Sequence, residues 1–79
     1  MDLNLPEVNL NEIIAATLDA GDHASACLAI LAHPHSGRLS TLTVQRLADL
    51  GVNGEVPDRF DVVMIEALGD LMRLGEPLQ

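Results

Sequence analysis

Residues 9–21 read NLNEIIAATLDAG, and this stretch carries the signals of one complete short helix. Asn9 is a favourable N-cap residue, and Glu12 lies three positions later, as in a variant of the capping box. Gly21 can adopt the left-handed conformation that commonly ends a helix. The stretch therefore predicts a helix over residues 10–20. Residues that recur every three or four positions define its inward face. They are Leu10, Ile13, Ile14, Thr17 and Leu18.

A second helix is predicted over residues 23–33, with Asp22 as its N-cap. Pro34 disfavours helical geometry at His33 and should end the helix there. The small residues of this segment let neighbouring helices approach closely, so it should be the most buried of the helices. Its predicted inward face consists of Ala24, Cys27, Leu28 and Leu31, widened by Ile30.

A loop over residues 34–38 separates this segment from a third predicted helix, over residues 41–50. Ser40 is the expected N-cap, and Gly51 should stop the helix. Val44, Leu47 and Leu50 share the face that should point inward.

The longest predicted helix covers residues 59–74, which read RFDVVMIEALGDLMRL, with Asp58 as N-cap. Gly69 costs about 1 kcal/mol relative to Ala inside a helix, so close helix packing is its expected role. The mid-helix positions of Leu28 and Leu68 predict two core residues. Val62 and Ile65 lie off the main stripe, and this excess apolar surface leaves self-association as a homodimer open as an alternative. The stripe expected to face the core consists of Phe60, Val63, Met64, Ala67, Leu68, Leu71 and Met72.

These four segments predict an all-α fold, a compact bundle of about four short helices in a single domain over residues 1–79. A chain of this length buries only about 60% of its unfolded surface, so efficient helix packing or a partner subunit must stabilise it.

The charge balance is strongly acidic: 12 Asp and Glu residues against 4 Arg residues and no Lys give a formal net charge of −8. Such a charge repels nucleic acids and anionic membranes and attracts basic protein surfaces. The chain has a single cysteine, an acidic N-terminus and no apolar run long enough to span a membrane. We therefore expect a soluble cytoplasmic protein, with a composition typical of a bacterial or phage genome.

One group of residues has the types and number of a tetrahedral zinc site: His23, Cys27, His33 and His35. The spacing H-x3-C-x5-H-x-H matches no established ligand pattern, so the favoured interpretation is a core cysteine with histidines in caps and loops. The same chemistry could give a Cys/His nucleophile pair, since His23 and Cys27 are four residues apart on a helix. A small helical domain offers little room for a cleft. We expect neither a cofactor nor an enzymatic activity.

Residues 42–52 resemble the first helix and turn of a helix-turn-helix motif. The following helix would then enter the major groove, but it is predominantly acidic and the DNA phosphates would repel it. Direct nucleic-acid binding is therefore not expected.

The stretch Glu55-Val56-Pro57-Asp58 resembles the segment after the second helix of acyl carrier proteins, which are also small acidic four-helix domains. That resemblance implies a phosphopantetheinylated serine at the start of a helix, and Ser36 is the candidate. The chain departs from the family because it lacks the Asp-Ser-Leu motif and has an apolar helix where the family has a long loop.

The remaining interpretation concerns the carboxylates, which can imitate a phosphate backbone and occupy a basic groove of another protein. Small acidic inhibitors encoded by phages, including anti-CRISPR proteins, commonly act in this way. The predicted function is thus inhibition or regulation of a larger assembly by masking a basic, nucleic-acid-binding surface. The alternatives are a zinc-stabilised module, an acyl carrier and a structural homodimer. The residues predicted to bind the partner are Asp58, Asp61, Glu66 and Asp70 on the exposed edge of helix 4, with Glu12 and Asp19 near the N-terminus.

Overall fold

A computed structural model describes residues 9–74, and these residues form an all-α bundle without strands. The predicted single domain also includes residues 1–8 and 75–79, which lie outside the described part. A 3-10 helix, Pro34–Arg38, connects the second and third α-helices. The four α-helices are α1 (Leu10–Asp19), α2 (His23–Ala32), α3 (Thr41–Gly51) and α4 (Arg59–Leu74).

The helices begin where the sequence predicts, because each predicted N-cap is used. Each cap side chain accepts a hydrogen bond from the backbone N–H three residues later, which satisfies an otherwise unpaired helix donor. Gly21 follows α1 with a φ of +74°, as predicted for a left-handed residue. The four caps are Asn9, Asp22, Ser40 and Asp58.

Two predictions about helix ends and loops are wrong. Gly51 does not stop α3 but is its last residue, and Val52 caps it in a helical conformation. A Cβ at Gly51 would lie 3.1 Å from Leu28 Cδ2 and 3.2 Å from Cys27 Cβ, so this glycine permits the close packing of α3 on α2. Residues 34–38, predicted as a loop, form a 3-10 turn in which His33 Nδ1 accepts a hydrogen bond from His35 N–H.

The core surrounds α2, which packs against α1, α3, α4 and the 3-10 helix. The inward positions Leu47 and Leu50 of α3 are confirmed, and Leu68 is partly buried against the core. The prediction for Leu28 is wrong: its side chain is 45% exposed. The buried face of α2 is rotated away from the predicted one because its alanines, rather than Leu28, allow the neighbours to approach. The fully buried large side chains are Ile14, Cys27, Ile30, Leu47, Leu50, Ile65 and Met72.

The buried face of α4 also differs from the prediction. Phe60, Val63, Ala67 and Leu71, placed on the core stripe by the sequence pattern, are exposed. Ile65, predicted to lie off that stripe, is completely buried. The face that packs on the bundle consists of Asp61, Ile65, Gly69 and Met72.

The expected role of Gly69 is confirmed by its surroundings. A Cβ at this position would lie 2.8 Å from Leu18 Cδ1 and 2.9 Å from Ile14 Cγ2, which leaves no room for a side chain between α4 and α1. This close approach brings the exposed edges of the two helices together. Within residues 9–74, no helix is both long and apolar enough to cross a bilayer.

Candidate acidic binding groove

An open groove of about 440 Å³ lies between α1 and α4 and is bordered by three carboxylates. Asp19 comes from the end of α1, and Glu66 and Asp70 come from successive turns of α4. All three are exposed. The structure thus brings together three of the six residues that the sequence predicts for partner binding. Ala15, Leu18 and Arg73 complete the lining.

The electrostatic potential of the groove is negative on its α1 side. The last turn of α1 contains Asp19 and no basic residue. Because the C-terminal end of a helix already carries a partial negative charge, a carboxylate there is destabilising rather than stabilising. Asp19 and the α1 terminus therefore add their negative potentials at the same place.

The α4 side of the groove is partly neutralised. The Arg73 guanidinium pairs with the Asp70 carboxylate and donates from Nε to the Gly69 carbonyl oxygen at 3.3 Å. Glu66 has no ion pair among the contacts of the described residues. The uncompensated charge of the groove therefore resides mainly on Asp19 and Glu66.

Asp61 does not belong to this surface, contrary to the prediction, because it is only 7% exposed. Its two carboxylate oxygens accept hydrogen bonds from Arg46 Nε at 2.9 Å and Arg46 Nη2 at 2.6 Å. The hydrogen bonds from Arg46 and from the Asp58 backbone lower the pKa of Asp61 to about 2. Asp61 therefore connects α3 to the start of α4 and is unavailable to a partner.

The sequence contains a signal for this role. Asp61 follows the N-cap Asp58 by three residues, the spacing of a capping box. Asp58 Oδ1 accepts from Asp61 N–H at 2.8 Å, and Asp61 Oδ2 accepts from Asp58 N–H at 3.0 Å. Arg46 also binds Glu55 Oε1 at 2.7 Å, and these carboxylates raise the pKa of its guanidinium. The exposed Asp58 is thus engaged in capping.

Glu12 is exposed on α1 but does not line the groove. It lies seven residues before Asp19, about 10 Å along the helix axis. Its backbone N–H donates to the Asn9 side chain, and this places Glu12 in the first turn of α1. A carboxylate there interacts favourably with the positive end of the helix dipole. Glu12 therefore lies outside the groove, and its role in partner binding stays a prediction.

The four candidate zinc ligands are not brought together. Within residues 9–74, no group of three His, Cys, Asp or Glu side chains is arranged to hold a metal ion. Cys27 is fully buried, and burial, with a smaller contribution from Asp61, raises the pKa of its thiol to about 11. A thiol held in this form is a poor ligand and a poor nucleophile, so the Cys/His pair with His23 is also unsupported.

His33 has a structural role instead. It is buried, and its Nε2 lies 2.9 Å from Asn11 Oδ1, while its Nδ1 accepts from the backbone N–H of His35. This arrangement fixes the turn after α2 against α1. The ring of His35 packs at a tilt against that of His33, with centroids 5.1 Å apart.

Ser36, the candidate for phosphopantetheinylation, lies within the 3-10 helix and not at the start of an α-helix. Ser40 directly precedes α3 as its N-cap, and its hydroxyl accepts from Thr43 N–H at 3.2 Å. Comparison of the chain with protein-family models, with curated protein sequences and with solved structures found no match. The functional argument therefore rests on the groove itself.

Proposed function

We propose that this chain is a non-enzymatic inhibitor or regulator that binds a basic, nucleic-acid-binding surface of a larger protein assembly. The observation that carries the proposal is the convergence of Asp19, Glu66 and Asp70 from two helices on one groove. Carboxylates spaced along a groove resemble the phosphates that a basic surface recognises. The net charge of −8 directs the encounter toward such a surface and away from DNA and RNA.

The position of Asp19 supports this proposal independently of the total charge. A residue that opposes the dipole of its own helix lowers stability, and such local conflicts are typical of functional sites. In this proposal, Asp19 is retained at the end of α1 despite the loss of stability because it attracts a basic cytoplasmic partner. Phage anti-defence proteins of the anti-CRISPR type are the class of inhibitor that this mechanism resembles.

The proposal is tested with the double variant Asp19→Asn, Glu66→Gln, which removes two charges and retains side-chain shape. Partners are first captured from a bacterial extract, and each is then titrated with the protein while its nucleic-acid binding is measured. We expect wild-type protein to displace the nucleic acid, and the double variant to associate more slowly, because surface charges act mainly on the on-rate.

Asp49→Asn is the single-charge control, to be compared with Asp19→Asn alone, since Asp49 lies on α3 away from the groove. Its carboxylate accepts from Asn53 at 3.3 Å, and an asparagine oxygen can do the same. Unchanged association of the double variant at low salt, or partners that retain their nucleic acid, would contradict the proposal. Relief of the dipole conflict should meanwhile stabilise Asp19→Asn by about 0.3–1 kcal/mol, so slower association of this single variant cannot be attributed to unfolding.

A further inference from the structure

A small cavity of about 90 Å³ lies between the 3-10 helix and the C-terminal half of α4. Its inner wall is Met72, which is only 1% exposed, and Leu39 and Leu71 form the other apolar walls. His35 and Arg38 complete the lining among the described residues, and Arg38, being exposed, lies at the mouth. None of these residues lines the acidic groove, so the cavity is a separate feature of the surface.

The cavity lies in a part of the molecule that lacks acidic side chains. Residues 23–48 contain no Asp or Glu, although the whole chain has 12. Asp70, which precedes Leu71 on α4, lines the acidic groove instead and is paired with Arg73. Among the described residues, an anion at the mouth of the cavity would therefore meet basic side chains and no carboxylate.

The guanidinium of Arg38 forms no ion pair with another residue of the range 9–74. The ion pairs in this range involve Arg46 and Arg73, so the N–H donors of Arg38 remain available to a ligand. A guanidinium is planar and presents its donors in a geometry that matches a carboxylate. Because the chain as a whole has a net charge of −8, this single positive charge favours a singly charged anion over a multiply charged one such as phosphate.

The cavity wall formed by the 3-10 helix is held in place by contacts within the chain. His33 Nδ1 accepts a hydrogen bond from His35 N–H, and the two rings pack against each other. The Ser36 N–H donates to the His33 carbonyl at 2.9 Å, and the Leu39 N–H donates to the Ser36 carbonyl at 3.0 Å. Binding therefore requires little ordering of this wall, which limits the entropic cost.

The volume of the cavity limits the apolar part of a ligand. A cavity of about 150 Å³ accommodates benzene. By the same measure, a cavity of about 90 Å³ holds about three or four carbon atoms. The hydrocarbon chains of butanoate and pentanoate have this size, and either would leave its carboxylate at the mouth, near Arg38.

We propose that this cavity binds a free short-chain aliphatic monocarboxylate. Its hydrocarbon chain packs against Leu39, Leu71 and Met72, and its carboxylate pairs with Arg38 beside His35. The apolar walls supply the affinity, and the charged group fixes the orientation. The inference goes beyond the proposed function and does not depend on it, because the cavity and the acidic groove share no described residue.

The test is an NMR titration of the full-length chain with acetate, butanoate, butan-1-ol and butylammonium at constant pH and ionic strength. We expect butanoate to shift the backbone amide signals of residues 35–39 and 71–72. Affinity should rise about fourfold per buried methylene, and so at least about tenfold from acetate to butanoate. Butan-1-ol and butylammonium retain the hydrocarbon chain without the carboxylate and should produce weaker binding at these signals.

Two variants test the two parts of the site. Arg38→Gln should weaken butanoate binding about threefold, since an ion pair exposed to solvent contributes modestly. Its matched control is Arg59→Gln, because Arg59 is also exposed and without an ion pair in the described range, but lies about 18 Å from Leu71 along α4. Leu71→Asn should remove most of the difference between acetate and butanoate. Leu42→Asn, at a 77% exposed position on α3, should retain it.

Support requires dependence on chain length in the wild type, its reduction in both cavity variants and its retention in both controls. Equal affinities for acetate and butanoate would mean adventitious anion binding only, and equal affinities for butanoate and butan-1-ol would exclude the carboxylate. Either result would overturn the inference, as would the absence of local shifts in a large excess of butanoate.

Two further measurements complete the test. Sedimentation that shows a wild-type dimer, dissociated by Arg38→Gln, would assign the cavity to a carboxylate of a second copy and overturn the inference. Circular dichroism checks that each variant is folded. If a cavity variant unfolds, the wild-type comparison of the four ligands decides the question by itself.

Discussion

The two faces of α4 are both apolar, yet the bundle covers only one of them. The inner face contains a glycine and an ion-paired aspartate, whereas the outer face is apolar at every position and contains the one phenylalanine of the chain. Hydrophobicity alone would select the outer face for the core. The inner face consists of Asp61, Ile65, Gly69 and Met72, and the outer face of Phe60, Val63, Ala67, Leu71 and Leu74.

The difference shows that burial here is determined by how closely the helices fit. Gly69 lets α4 approach Ile14 and Leu18 on α1, which a side chain at that position would prevent. Asp61 tolerates burial because Arg46 neutralises it with two hydrogen bonds. With the inner face held in this way, the outer face remains exposed.

The largest effect should come from truncation of the inner face at Ile65, which is completely buried. Ile65→Ala should lower the free energy of unfolding by about 2–5 kcal/mol, since it removes buried methyl groups and leaves a cavity. The measurement is urea denaturation followed by circular dichroism. Val63→Ala on the outer face is the control and should have little effect. If Val63→Ala were the more destabilising change, the two faces would have to be exchanged.

A smaller loss is expected when the ion pair that holds the inner face is broken. Asp61→Asn removes the carboxylate that binds Arg46 and should cost about 1–3 kcal/mol, as for other partly buried charged hydrogen bonds. Asp70→Asn, which breaks an exposed pair with Arg73, is the control and should cost under about 1 kcal/mol. Equal losses in the free energy of unfolding for the two variants would show that burial does not strengthen the Asp61–Arg46 pair.

The same pair gives a pH dependence with a defined sign. The pKa of Asp61 is lowered from 3.8 to about 2 by Arg46, so its stabilising effect is complete above about pH 4. It is lost as the pH falls toward 2 and the folded protein takes up the proton. The difference in stability between wild type and Asp61→Asn should therefore shrink over this range. A constant difference in urea titrations from pH 5 to pH 2 would contradict the assignment.

Glycine and alanine on opposite faces provide the next comparison. Gly69→Ala adds a good helix former, yet its Cβ would lie 2.9 Å from the buried Ile14 Cγ2, so we expect a net loss of about 1 kcal/mol. Ala67→Gly on the outer face should lose a similar amount for the opposite reason, reduced helix propensity. If Gly69→Ala raised the melting temperature, α1 and α4 could not be in close contact.

The sequence predicts the helices well and their faces less well, for a physical reason. Caps such as Asn9 and Ser40 act through local hydrogen bonds, so their residue types are sufficient to identify the helix starts. In α4, apolar residues surround most of the helix, and periodicity then cannot select the face. That choice depends on contacts between residues far apart in the chain, such as Gly69 with Ile14.

In the candidate site, too, the sequence shows local features but not the contacts between residues far apart in the chain. Asp19, Glu66 and Asp70 were predicted as exposed acids, but only the α1–α4 packing brings them to one groove. Asp61 has the same residue type and helix as Asp70, and its burial depends on Arg46, 15 residues earlier. Its capping-box spacing is the one local signal that separates it from the others.

The smallest stability effect should come from the largest apolar side chain of the outer face, Phe60. A buried Phe→Ala change usually costs about 3–5 kcal/mol, through lost burial and the cavity left behind. Phe60 is 78% exposed, so neither contribution applies, and Phe60→Ala should change the free energy of unfolding by less than about 0.5 kcal/mol. A loss above about 2 kcal/mol in urea denaturation would show that Phe60 is covered in solution. Dependence of that loss on protein concentration would identify the cover as a second copy, because only an oligomer responds to mass action.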